Sequence, residues 1–444
     1  MIYIPRNIDN FLLAWVSSDR RKPLILRGAR QVGKSNSVLN LGKQFENIVT
    51  INFEKQPQFK DLFTGEIAVS KIVESISLIT GSNIIPGKTL LFLDEVQACP
   101  QVITSLRYFY EEMQNLHVIA AGSLLEFALQ KIGVPVGRVQ TAYMYPLTFF
   151  EFLDATNSSD LKNKIKESCA KNESLPELVH EKVLKDFKTY ALIGGMPEVI
   201  KEYVKTGSVE IAYEVLTEIV ETYRGDILKY TKQNRFQYVN QVFEALPTLI
   251  GKKFKYANVN KEVQSKVIGE ALNLLVTAGI AYKVHHTSAN GLPLGAEKDL
   301  QHFKVLFLDC GLINKILGFD LRTFPITTCD DLVNKGNLIE QIVGTELIAS
   351  SACTEMQELY YWHREAKNSN AEIDYLGVAQ SGDVYPIEVK AGEVGRMKSM
   401  QQFFLAKPQV GFGVKYSARR DCAVEEVWER EVVSRPVYMV GGGF

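Results

Sequence analysis

With 444 residues, the chain has room for roughly two to four domains of ordinary size. Apolar side chains make up 46% and charged ones 23%, a balance that supports a normal core and excludes both a disordered and a membrane-embedded composition. Lys plus Arg (50) nearly cancels Asp plus Glu (51), so contact with nucleic acid cannot rest on global charge and must come from a local patch.

The opening MIYIPRNIDNFLL has no basic segment followed by a long apolar run. Neither a secretory signal nor a membrane span is therefore expected, and the cytosol is the expected compartment. Strands are predicted at LILR (24–27), IVTINF (48–53), TLLFLD (89–94), HVIAA (117–121) and VQTAYMY (139–145), separated by segments of helical period such as 34–45. Runs apolar on both faces that alternate with helices predict a parallel sheet covered on both sides. After Phe152 a polar stretch, NSSDLKNKIKESCAKNESLPE, precedes helical patterns over 179–230, which the loop GGMP (194–197) interrupts. From about 233 to 309 the pattern is three helices and two β runs, IAYKVHHT and FKVLFLD, as in a winged helix-turn-helix. The last part reads helix (337–350), strands ELYYWHR, AEIDYLG and VYPIEVK, helix RMKSMQQFFLA, and strand VGFGVKY. Six cysteines are scattered along the chain with no CxxC pair, which argues against zinc ribbons and disulfide frameworks.

The segment LILRGARQVGKS fits the pattern GxxxxGK[ST], with Gly28, Ala29, Arg30, Gln31, Val32, Gly33, Lys34 and Ser35 as the candidate nucleotide-binding residues. Glycines let backbone N–H groups curl around a phosphate, Lys34 supplies a cation, Ser35 can ligate Mg²⁺, and the helix N-terminus adds positive potential. TLLFLDEVQ then delivers Asp94 to a strand end as a second Mg²⁺ ligand, with Glu95 placed to polarise water. A phosphotransferase is the other reading of this pair, although an adjacent second carboxylate favours water as nucleophile. Ser123, after HVIAAG, is either a sensor of the γ-phosphate or a helix N-cap. Arg138 and Arg224 are candidates for a charge-stabilising arginine, in cis or from a neighbouring subunit.

In this order, RGARQVGKS, LFLDEVQ, AAGSLLEF and YPLTFFEF resemble a large group of bacterial and archaeal AAA-family ATPases in which a domain of unknown function follows the ATPase core. The later GGMPEVI, YRGDI, KVLFLDCGL and PIEVKAG fit the same group. The resemblance covers nearly the whole chain. It implies an α/β multidomain protein with an ASCE-type P-loop sheet, a helical lid, a winged-helix region and a C-terminal nuclease-like domain. It also implies Mg²⁺-dependent ATP binding and hydrolysis, with ring oligomers common among relatives. The expected domains are 1–153 (ATPase core), 154–230 (lid), 231–330 (winged helix) and 331–444 (nuclease-like).

In that last domain, Asp374 in EIDYL with Glu388 and Lys390 in PIEVK resembles the PD-(D/E)xK nuclease core, and Glu340 on the preceding helix matches the extra acid of many such nucleases. Glu388 and Lys390, two apart on a strand, share a face. Glu340, Asp374 and Glu388 are the candidate metal ligands, and Lys390 is the candidate catalytic cation. Lys252, Lys253, Lys255, Lys261 and Lys266 form a basic cluster that could meet DNA phosphates or simply face solvent. His285 and His286 read as strand residues, and His363 as a core or edge histidine close to the acids. Two functions follow as expectations. One is an ATP-dependent DNA-processing nuclease, in which nucleotide state gates access of DNA to the acids. The other is a nucleotide-controlled switch that binds DNA or a protein and cuts nothing.

Overall fold

The computed structural model describes all residues except 1–2, 66–67, 124–132, 134, 136, 231–232, 320–335, 366–370, 391–396 and 443–444. The chain divides into two compact units. One comprises residues 1–146 with the short segments 277–280 and 352–356, and the other comprises the remainder. The segment LLEF (124–127), and the expected boundary at 330/331, lie outside the described residues.

In the first unit, β1 (Leu24–Arg27), β2 (Asn47–Asn52), β3 (Thr89–Asp94), β4 (His117–Ala121) and β5 (Gln140–Tyr143) form one sheet in the order β2-β3-β4-β1-β5. All its pairings are parallel. β1, β3 and β4 lie where the sequence places them, and β3 and β4 are buried along their whole length. VQTAYMY contributes the four residues Gln140–Tyr143, and Met144 N still donates to the Arg27 oxygen of β1 (2.8 Å). Alternate strand residues Ile51, Leu91, Leu93, Val118 and Ala120 pack with Ile72 and Ile76 of helix α3 (Val69–Thr80) and with Val102, Leu106 and Phe109 of helix α4 (Gln101–Glu112). Helix α2 (Lys34–Gly42) also packs on β2, β3 and β4. Fully burying each such side chain contributes about 1.5–3 kcal/mol. Insertion of β4 between the strand before the phosphate loop and the strand ending at Asp94 is the order of a P-loop NTPase sheet.

The second unit begins with helix Phe149–Ala155, set by a capping box: the Thr148 hydroxyl accepts from Glu151 N (3.2 Å), and the Glu151 carboxylate accepts from Thr148 N (2.8 Å). GGMP separates helices Glu177–Ile193 and Pro197–Thr206 as expected. Its reason is tertiary as well as local. Buried Asp309 caps helix Cys310–Ile316 by accepting from Leu312 N (3.1 Å), and its other oxygen accepts from Gly195 N (2.6 Å). A Cβ on Gly194 (φ 77°) would stand 2.1 Å from the Asp309 carboxylate. The GGMP and LDCGL segments thus interlock. Burial pushes the Asp309 carboxyl up to about 6. Asp309→Asn keeps one acceptor but turns an amide N–H₂ toward a backbone donor, so a loss of about 1–2 kcal/mol is expected. The shift of the urea unfolding midpoint measures it.

The expected wing hairpin is present but does not stand alone. β6 (Ala281–Thr287) pairs antiparallel with β7 (Lys298–Phe307), and β6 also pairs in parallel with β8 (Leu359–His363), which is joined by β9 (Glu372–Ile373). The hairpin is half of a four-stranded sheet, β7-β6-β8-β9. A second mixed sheet, in the order β10-β11-β12-β14-β13, holds β10 (Tyr375–Val378), β11 (Val384–Lys390), β12 (Phe412–Ser417), β13 (Ala423–Val427) and β14 (Arg430–Pro436). The helix, three-strand, helix, strand order read from the sequence is retained, but its strands are shared between two sheets. The chain crosses from one to the other at Asp374, the single residue between β9 and β10. Among the described residues no helix is long and apolar enough to cross a membrane.

Candidate functional site

The phosphate loop leaves β1 at Gly28, where φ is 143° and an added Cβ would lie 2.2 Å from the Met144 carbonyl oxygen. Only glycine fits there. Gln31 (φ 65°) and Gly33 (φ 100°) complete the curl and aim backbone N–H groups into its hollow. Helix α2 then starts at Lys34. Arg6 braces the loop from beneath, donating to the Val32 oxygen (2.7 Å) and the Tyr145 oxygen (2.7 Å).

Lys34 is buried, and its ammonium donates to the carbonyls of Gly28 (3.0 Å) and Ala29 (2.8 Å). Burial lowers its pKa to about 8, against the opposing pull of Glu95 and Asp94. The Ser35 hydroxyl donates to Asp94 at 3.1 Å, and the Asn52 amide donates to the same carboxylate at 3.2 Å. Burial, followed by the neighbouring charge of Glu95, raises the Asp94 carboxyl. Glu95 sits in the left-handed region (φ 54°), a conformation costing on the order of 1–3 kcal/mol in a non-glycine residue. Its carboxylate accepts from the Gln97 amide (2.6 Å) and from the Ser123 hydroxyl (3.4 Å). Lys34, Ser35, Asn52, Asp94, Glu95 and Ser123 therefore meet at the carboxyl edge of the parallel sheet, where ligands of open α/β sheets bind. The set fits Mg-nucleotide: a cation over a donor-lined loop, beside a hydroxyl and a carboxylate, which are hard oxygen donors suited to Mg²⁺.

Arg6, Asn52 and Gln97 are not evident from the sequence. Asn52 was the most accessible of them, as a polar residue ending a strand whose register sets it opposite Asp94. Arg138 is a correction to the cis reading. It precedes β5, at the amino edge of the sheet, and pairs with Glu111 (2.9 Å) at the far end of α4 from the phosphate loop. Arg224 pairs with Glu221 (2.5 Å) and Glu244 (2.8 Å) in the second unit.

The C-terminal acids are drawn together, but around a lysine. Lys304 of β7 places its ammonium 2.7 Å from Glu340, 2.6 Å from Glu372 and 3.8 Å from Asp374, with its side chain only 2% exposed. Asp374 also accepts from Val389 N (2.8 Å), Glu388 pairs with Lys390, and the second oxygen of Glu388 is buried without a hydrogen-bond partner. Burial raises the carboxyls of Glu340, to about 7, and of Glu388. The tight cluster of carboxylates expected to hold a metal is thus occupied by a side-chain cation, and among the described residues no group of three or more His, Cys, Asp and Glu side chains is arranged to hold a metal ion. His363 stacks near His286 (ring centroids 4.0 Å apart), and its pKa falls to about 4 through burial and the adjacent His286. Of the basic cluster, Lys253 reaches Glu372 (3.8 Å), and the Lys252 ammonium donates to Thr248 O (3.2 Å).

Three family models match successive parts of the chain: an AAA domain over residues 20–153, a domain of unknown function (DUF8612) over 184–323, and another (DUF4143) over 335–433. No curated protein matches. Among solved structures, the Walker-type ATPase PABY2304 of Pyrococcus abyssi is 15% identical, over 71% of this chain and 96% of its own, with a TM-score of 0.42. The Orc1 protein of Aeropyrum pernix in complex with DNA is 10% identical, over 70% and 90%, with a TM-score of 0.28. The RuvB Holliday junction branch migration motor of Thermotoga maritima is 12% identical, over 63% and 89%, with a TM-score of 0.29. Residues 20–153 thus match an AAA domain and hold its P-loop, and the segments that follow match domains without an assigned function.

Proposed function

We propose that the protein is a Mg²⁺-dependent ATP hydrolase whose nucleotide cycle controls the second unit as a switch. The observation that carries this reading is the convergence of Lys34, Ser35, Asn52, Asp94, Glu95 and Ser123 at one sheet edge. The backbone of residues 28–35 and Lys34 would hold the phosphates, and Ser35 with Asp94 would hold Mg²⁺, which when bound neutralises charge on the phosphate oxygens. Asn52 fixes the Asp94 carboxylate. Glu95 orients the attacking water and receives its proton, while Gln97 and Ser123 hold Glu95 in place. Glu95→Gln preserves shape and removes the proton acceptor. Its turnover is expected to fall about 10²–10⁴-fold with ATP binding retained, measured as steady-state phosphate release beside nucleotide-binding titrations. Equal losses of binding and turnover would remove Glu95 from the chemical step.

Two readings of the second unit remain from the sequence. Cleavage of DNA would use Asp374, Glu388 and Lys390, with Glu340, and would be abolished by Lys390→Ala. A non-cleaving switch would bind DNA or a protein, with the basic residues near Lys252–Lys266 as the candidate DNA contact and a homo-oligomer as a candidate assembly. The pairing of Lys304 with Glu340 and Glu372 favours the switch. Incubation of plasmid and single-stranded DNA with Mg²⁺ or Mn²⁺, with and without ATP, separates the two. Cleavage by the wild type alone would sink the switch reading.

A further inference from the structure

We propose that Lys304 is the resident cation of the C-terminal acidic centre, so that Glu340, Glu372 and Asp374 form a closed ion cluster in place of a divalent-metal site. The inference does not depend on the nucleotide reading, since all these residues belong to the second unit.

The geometry supports it in three ways. First, the ammonium lies within hydrogen-bond reach of two carboxylates, at 2.7 and 2.6 Å, and 3.8 Å from a third. The point where three carboxylates would converge on a metal is filled by nitrogen. A Mg²⁺ ion needs six oxygens at about 2.0–2.1 Å and keeps several waters, which requires the ammonium to leave. Second, leaving is costly. The Lys304 side chain is 2% exposed, and its ammonium lies over the Tyr361 ring, 5.4 Å from the ring centroid. Removing one member of a buried ion pair leaves uncompensated charge behind. Third, every acid of the centre already has a partner. Lys253 lies 3.8 Å from the second Glu372 oxygen, Asp374 accepts from Val389 N, and one Glu388 oxygen is paired with Lys390.

The cation and the acids come from different modules. Lys304 falls within the 184–323 match, and Glu340, Glu372, Asp374 and Glu388 fall within the 335–433 match. The preceding module therefore supplies a counter-charge to the acids Glu340, Glu372 and Asp374 of the last one. The chemistry left to the centre is that of a structural ion cluster joining β7, the helix Gly336–Ala349 and the β9–β10 crossing. Tyr375 adds a hydrogen bond to the Glu340 carbonyl (2.7 Å) on the same helix.

The test is Mn²⁺ binding to the full-length, nucleotide-free protein carrying Asp94→Asn, followed by the loss of the free-ion EPR signal. That background removes the carboxylate at the end of β3 as a competing ligand. The expected result is no Mn²⁺ site that depends on Glu340. Adding Lys304→Met, similar in length and uncharged, should create a Mn²⁺ site that Glu340→Gln then removes. A Mn²⁺ site in the protein that retains Lys304, lost on Glu340→Gln, overturns the proposal. So does a folded Lys304→Met variant that gains no Mn²⁺ site, since the lysine would then not be standing in for a metal. If Lys304→Met does not fold, thermal unfolding of the lysine-containing protein and its Glu340→Gln variant decides. Their difference in melting temperature should be the same with and without Mn²⁺, and a Mn²⁺-induced rise confined to the Glu340 form refutes the idea.

Discussion

Lys34→Ala is expected to leave the protein folded and to abolish the rise in melting temperature that Mg-ATP produces. At a ligand concentration of about 100 times the dissociation constant, binding to the folded state alone stabilises it by roughly 2.7 kcal/mol, and the variant should lose all of this. The apo fold should be little affected. Among the described residues the Lys34 ammonium bonds to the Gly28 and Ala29 carbonyls, and burial disfavours its charge. The pH dependence has a definite sign. With a pKa of about 8 in the folded apo protein and about 10.4 unfolded, Lys34 releases its proton more readily in the native state. Apo stability from this group should therefore rise as pH increases from about 8 to about 10.4. Phosphate favours the charged lysine, so ATP affinity should decline above about pH 8 in the wild type. Isothermal titration at several pH values measures it. An unchanged ATP-induced shift in Lys34→Ala would remove the lysine from the site.

The parallel sheet was legible because its strands obey a local rule. TLLFLD and HVIAA are buried on both faces, so they appear as short unbroken apolar runs closed by turn residues. The phosphate loop was legible because its conformation demands particular residues at fixed spacing, glycine at 28 above all. What could not be read depends on register across the sheets. Asn52 looks like any polar strand end until β2 is laid beside β3 and its amide meets Asp94. Lys304, the second residue of FKVLFLD, reads as the polar position of a strand. Nothing local says that its face is covered by the Glu340 helix 36 residues further on. The β13–β14 hairpin was missed because Glu and Arg residues interrupt AVEEVWEREVVSRP: β13 is the exposed edge strand, and only the pairing of β14 with both β12 and β13 shows that β14 lies inside the sheet. Arg138 shows the same dependence: only the pairing of β5 with β1 sets it at the amino edge of the sheet, which removes the cis role and not the role in a neighbouring subunit.

Glu346→Ala should be among the most destabilising single changes in the second unit, by about 3–5 kcal/mol. Glu346 is buried on the helix Gly336–Ala349, and one of its oxygens accepts both from Phe149 N (2.9 Å) and from the Tyr190 hydroxyl (2.8 Å). It joins the start of the helix that follows the Thr148 cap to the helix ending at GGMP. Alanine would leave the buried Phe149 N–H without its acceptor and open a cavity, while the Tyr190 hydroxyl would retain the Leu147 carbonyl (2.8 Å). Burial pushes its carboxyl up from 4.5 to about 7, outweighing the lowering by Tyr190 and Phe149. Between those values the native protein holds a proton that the unfolded chain has lost. Stability from this group is therefore complete below about pH 4.5, falls as pH rises toward 7, and is flat above, a loss on the order of 3 kcal/mol. Glu346→Gln separates the two contributions. The amide oxygen still accepts both hydrogen bonds but cannot ionise, so this variant should match the wild type near pH 5 and exceed it near pH 8. Urea unfolding at the two pH values measures the difference. Equal pH dependence in wild type and Gln variant would mean that Glu346 stays ionised in the fold, with the Tyr190 and Phe149 donors sufficient to hold its charge.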